Sequence, residues 1–184
     1  MTNTTDRGPW MRTHSGTRFH PFDPHADEVC IEDIAHALSQ LCRFAGHTSA
    51  FYSVASHSVL VADLVVRLGH PEHALSALLH DAAEAYYVDV PSPLKRGLPD
   101  YRSAIGRGED VIARAFGLPV ELPRVVVRAD LMALADEARD LMGGHEGWGL
   151  PEPESGIRVL SESPSLARDR FLERFHALQS ARAA

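Results

Sequence analysis

The run Leu78-Leu79-His80-Asp81-Ala82-Ala83-Glu84 sets three ionisable side chains inside an otherwise apolar stretch. Leu75, Leu78 and Leu79 belong in an interior, and an ionisable group taken there costs free energy unless it is paired or bound. Read as a helix, His80 and Glu84 are four apart and Asp81 and Glu84 three apart, so all three project near one face. Any fold of this chain must bring compensating groups to that point. Imidazole and carboxylate together are also what a divalent metal selects.

The rest of the chain supplies helices to surround it. Ile31, Ile34, Ala35, Leu38, Leu41 and Cys42 recur at three and four and predict a helix over Ile31–Phe44, stopped by Gly46. Ser53 is a candidate N-cap for a second helix over about 54–69. Pro71 opens a third that runs through the His80-Asp81 pair to about Tyr87, and Pro91-Ser92-Pro93 ends it. Further helices are expected over Asp100–Phe116, Pro123–Met142 and Ser165 to about Ser180. The glycine- and proline-rich stretch 143–163 reads as a loop. Residues 1–30 lack a helical period, contain a possible hairpin around His14–Phe19, and are expected to pack on a helical body spanning 31–184. The fold class is all-α, a compact helical bundle with a short irregular or hairpin N-terminal segment.

At 184 residues one domain with its own core is expected. A net charge of −7 argues against a duplex nucleic-acid partner, which would need a broad basic face. No apolar run approaches the roughly 20 residues of a membrane span, and Met1–Trp10 lacks the apolar core of a signal peptide. Only Cys30 and Cys42 are present, too few for a disulfide framework. A cytoplasmic protein with no membrane partner is the expectation.

Other predicted helices carry groups that match the pair. His57 lies in Ser56-His57-Ser58 and Asp130 in Arg128-Ala129-Asp130-Leu131. Alone, each is more ordinary as a hydrogen-bonded core residue. Together with His80 and Asp81 they offer two nitrogens and two oxygens to one divalent ion, with positions left for water and substrate. Mn, Co, Zn, Fe, Ni and Mg all suit such a donor set.

His57, His80-Asp81 and Asp130 resemble the H…HD…D signature of the HD-domain metal-dependent phosphohydrolases. The resemblance continues through Tyr52–Val59, through His80-Asp81-Ala82-Ala83-Glu84, through Asp89-Val90-Pro91-Ser92-Pro93-Leu94-Lys95, and through Ala129-Asp130 to Glu137-Ala138. It is similar in these runs to the bacterial 5′-deoxynucleotidases and their phage relatives, some of which are dATP triphosphohydrolases. It covers about residues 13–145. The resemblance implies metal ligation by His57, His80, Asp81 and Asp130. It implies Glu84 as the group that orients water or acts as general base, and Asp89 as general acid. It further implies Arg43 and Lys95 as phosphate contacts, and Phe44 as the aromatic that packs on the sugar where relatives often carry Trp. Glu84 as a hydrogen-bond acceptor for His80, and Arg43 as a cap for helix carbonyls, are the plainer alternatives.

The expected activity is hydrolysis of phosphate esters or anhydrides of (deoxy)nucleotides, from either a monophosphate or a triphosphate, by a homo-oligomer. An alarmone-type hydrolase is disfavoured, because His80-Asp81-Ala82-Ala83-Glu84 departs from the acidic pair and Thr of that type. A non-catalytic nucleotide-binding module is the remaining alternative.

Overall fold

The structure, a computed structural model, describes residues 7–153 and 157–183. Residues 1–6 of the expected N-terminal segment and 154–156 of the expected loop lie outside the described residues. A two-stranded hairpin, β1 (Met11–Arg12) and β2 (Arg18–Phe19), precedes eight α-helices. These are α1 (Ile31–Gln40), α2 (Val54–Arg67), α3 (Ala74–Leu78), α4 (Glu84–Tyr87), α5 (Ser92–Lys95), α6 (Pro99–Phe116), α7 (Arg124–Leu141) and α8 (Pro164–Ala183). The protein is mostly helical with a short N-terminal hairpin, as its periodicity predicts.

Helix α2 is the axis of the bundle: α1, α3, α7 and α8 all pack against it. Its inward stripe, Val54, Ala55, Val61, Ala62, Leu64 and Val65, is fully or almost fully buried. Ser53 caps it, the side chain accepting a hydrogen bond from the Ser56 N–H at 3.0 Å. The hairpin joins the core through Phe19, which stacks on Tyr86 with ring centroids 4.1 Å apart and meets Tyr87 edge-on at 5.8 Å.

Two sequence expectations need correction. The first helix ends at Gln40 and does not run to Phe44. Leu41 turns extended, and Cys42 forms an isolated antiparallel bridge with Ser53. The Arg43 N–H donates to Tyr52 O at 2.9 Å and the Val54 N–H to Leu41 O at 3.1 Å. The period persists past Gln40 because Leu41 still packs against the core while extended.

The third helix is also not continuous. Helix α3 stops at Leu78, and residues 79–83 form consecutive turns held by bonds three residues apart, Ala82 N–H to Leu79 O and Glu84 N–H to Asp81 O. His80 and Asp81 therefore sit on a kink between α3 and α4, not on one helical face with Glu84. A kink frees adjacent residues to aim at one point, which a straight helix forbids at i and i+1.

Candidate metal centre

His57 comes from α2, His80 and Asp81 from the α3–α4 turn, and Asp130 from α7. Their reactive atoms converge. His57 Nε2 stands 3.3 Å from His80 Nε2, 3.2 Å from Asp130 Oδ1 and 3.6 Å from Asp81 Oδ2. His80 Nε2 is 3.3 Å from Asp81 Oδ2 and 3.9 Å from Asp130 Oδ1. His57, His80 and Asp130 form a group with one atom of each within 4.8 Å of the others that could hold a metal ion.

The tautomers follow from the partners. His57 Nδ1 lies 2.6 Å from Glu137 Oε1, and His80 Nδ1 lies 2.7 Å from Ala77 O. A carboxylate and a carbonyl only accept, so each Nδ1 carries its proton and donates it. Each neutral ring then points its Nε2 lone pair at the other and at two carboxylate oxygens. Lone pairs and anions 3–4 Å apart repel unless a cation lies among them. Donor atoms about 2 Å from one ion stand about 3 Å apart when their bonds are perpendicular. The residues present therefore fit a divalent ion.

The charges show the same demand for a cation. Burial and the Arg43 charge oppose protonation of His57, but Glu137 and Asp130 outweigh them and raise its pKa. Burial is likewise overcome at His80, where the adjacent Asp81 carboxylate and Asp130 push the pKa up to about 9. Burial would raise Asp81, yet His80, His57 and Arg43 hold its carboxyl well below the usual carboxylate range. Without a metal, protons on the histidines occupy the position of the cation.

The flanking residues gather here too. Arg43 reaches Asp81 Oδ2 with a terminal nitrogen at 3.6 Å. It does so from a tight turn in which Phe44 and Ala45 are left-handed, at φ 54° and 51°, so it caps no helix. Its guanidinium lies 5.3 Å from the Phe44 ring centroid, and Phe44 in turn lies 6.3 Å from the ring of Trp148. Lys95, at the end of α5, places Nζ 3.2 Å from Glu84 Oε1. Glu84 Oε2 is buried and has no hydrogen-bond partner among the described residues. Burial, then the Asp81 and Asp89 charges, push Glu84 up to about 9. Asp89 follows Val88 in the connection to α5 and feels the charges of Arg43, Asp81 and Lys95; burial raises its pKa despite Arg43. Arg128 lines an outer groove on α7 with Arg124, Val127, Leu131 and Pro151.

Glu137 escaped the sequence reading. It is fully buried two helical turns beyond Asp130 on α7, and its Oε2 accepts from Arg43 Nε at 3.0 Å while Oε1 accepts from His57. Burial, then the Glu137 charge, raise the Tyr52 phenol well above its usual pKa. The signal was an acid seven residues after Asp130, on the same face; Asp136 and Asp140 beside it masked that signal.

Two relatives match almost the whole chain. The uncharacterized protein YfdR of Escherichia coli (strain K12) is 44% identical over 179 residues, covering 94% of this chain and 97% of that protein. The chain belongs to its family. The uncharacterized protein RCAP_rcc00048 of Rhodobacter capsulatus is 36% identical over 193 residues, covering 92% of this chain and 95% of that protein. No family model matches the chain. Among the described residues no helix is long and apolar enough to cross a membrane.

Proposed function

We propose that this protein is an HD-type, metal-dependent phosphohydrolase of (deoxy)nucleotides. The observation that carries the reading is the pair of imidazole Nε2 atoms 3.3 Å apart, each with its other nitrogen already engaged. Asp81 and Asp130 complete the donor set, and Arg43 and Lys95 stand beside it as cations for phosphate. His57, His80, Asp81 and Asp130 would hold one divalent ion, which when bound polarises a phosphoryl oxygen and acidifies a water.

The chain's own residues do the rest. Arg43 and Lys95 bind the phosphate oxygens and fix them against the centre. Glu84, with Oε2 open, orients the attacking water and takes its proton once the Asp81 charge is offset. Asp89, whose pKa burial raises, is the general acid that gives a proton to the leaving oxygen. Phe44 packs on the sugar.

The test is phosphate release by the purified chain with added Mn²⁺ or Co²⁺, across a panel of deoxynucleoside mono- and triphosphates with product analysis. Asp81→Ala should lose at least 10²-fold in rate, on the order expected for losing a ligand of a catalytic ion. No release from any nucleotide, with wild type and Asp81→Ala alike, refutes the proposal. Inorganic phosphate as product identifies a monophosphatase, and tripolyphosphate a triphosphohydrolase.

A further inference from the structure

Glu137 is an acid with no exposure to solvent, and its carboxylate bridges two groups that the chemistry needs in register. Oε1 takes the Nδ1 proton of His57 at 2.6 Å; Oε2 takes the Nε proton of Arg43 at 3.0 Å. We propose that Glu137 is a positioning residue that locks His57 with Nε2 toward the metal and holds the Arg43 guanidinium at a fixed reach from the same centre. The inference rests on the metal-centre reading above and adds to it a residue that sets the spacing between the ion and the substrate's phosphate.

A buried carboxylate this close to both groups must be ionised to accept from each, and two donated protons satisfy one oxygen apiece. Hydrogen bonding to Nδ1 leaves Nε2 as the only available ligand atom of His57, and the ring cannot flip without orphaning Glu137. Arg43 spends its Nε on Glu137, so a terminal nitrogen is what extends toward Asp81, 3.6 Å from Oδ2. The planar fork then presents its remaining donors to an incoming oxyanion. The two partners come from α2 and from the turn after α1. One side chain on α7 thus fixes the relative placement of both.

Glu137→Gln disturbs both halves of this role. Gln meets His57 only as a neutral amide in place of a carboxylate, and its NH2 end must meet Arg43 with a donor. The probes are Co²⁺, followed by its d–d absorption and by calorimetric titration of the full chain, and inorganic phosphate added to the Co²⁺-loaded protein. Loss of such an outer partner weakens metal binding about 10–100-fold, and phosphate affinity should fall by about tenfold or more. Unchanged Co²⁺ affinity, an unchanged spectrum and unchanged phosphate affinity, with only thermal stability altered, would overturn the proposal while leaving the metal centre intact. A wild-type chain that gives no Co²⁺ spectrum overturns the metal-centre reading and this inference with it. Should Glu137→Gln fail to fold, ¹⁵N-histidine spectra of the unaltered, Zn²⁺-loaded chain decide: His57 must show a protonated, strongly deshielded Nδ1–H, and a metal on Nδ1 refutes the assignment.

Discussion

Val88 adopts φ 69° and ψ 149°, a region that glycine fills readily and a β-branched residue resists. It is held there by its own N–H, which donates to Glu84 O at 2.8 Å, and by its carbonyl, which accepts from the Tyr101 hydroxyl at 2.7 Å. The other non-glycine residues at positive φ among those described are Phe44 and Ala45. All three flank the centre: Val88 precedes Asp89, and Phe44 follows Arg43. The strained backbone is thus concentrated where it aims side chains, as strain at functional sites commonly is. Val88→Gly should relieve about 1–3 kcal/mol of steric cost, less about 0.5–1 kcal/mol for the freer unfolded chain. The melting temperature should rise by about 2–4 °C per kcal/mol gained, while the proposed phosphate release falls because Asp89 loses its fixed direction. A lower melting temperature would show that the conformation is not strained.

Helix α6 also serves the site through a missing side chain. A Cβ at Gly108 would stand 2.4 Å from Tyr87 Cε2, whereas one at Gly106 meets nothing within 4 Å. Gly108 lets α6 approach α4, whose first residue is Glu84. Gly108→Ala should destabilise by about 1–3 kcal/mol through overpacking, overriding the helix propensity that favours Ala. Gly106→Ala, in the same helix without the contact, should instead stabilise by about 0.5–1 kcal/mol. Denaturant melts of the two variants check both signs, and similar shifts would remove the packing explanation. The sequence read this helix within a residue of its ends, and α7 likewise, because both bury one continuous stripe between clear stops. It misread α1 and the His80-Asp81 segment for a physical reason. Hydrophobic period records which residues are buried, and Leu41, Leu79, Ala82 and Ala83 are buried or half-buried although the backbone there is turned or extended. The metal-type residues were legible from their chemistry. Glu137 was not, since its purpose lies in contacts with Arg43 and His57, distant in the chain, that no local pattern encodes.

Over the whole molecule, the bundle is closed on its N-terminal side by a segment with almost no secondary structure. Phe19 anchors it in the core, and the Tyr87 hydroxyl donates to Pro21 O at 2.7 Å. Its electrostatic clasp is Glu28, which accepts from Arg7 at 2.6 Å and lies 2.8 Å from His20 Nδ1. Burial would raise the Glu28 pKa, but Arg7 and His20 outweigh it and hold it below the usual 4.5. A carboxyl depressed in the folded state contributes stability above its unfolded pKa, and that contribution disappears as pH falls through the lower, folded value. Hydrogen bonds to a charged group contribute about 1.5–3 kcal/mol, so the N-terminal clasp should weaken in the acid range below 4.5. Glu28→Gln should therefore melt several degrees lower than wild type at neutral pH, about 2–4 °C per kcal/mol lost. The two melting curves should converge as pH drops below that range, since protonated Glu28 and Gln are alike in charge. The candidate metal centre lies on other elements, α2, the α3–α4 turn and α7, so the Co²⁺ affinity of Glu28→Gln at neutral pH should match wild type. Curves that stay parallel down to pH 3 would place the acid sensitivity elsewhere, and a lost Co²⁺ site would mean that the N-terminal segment holds the centre together and does not merely cover the bundle.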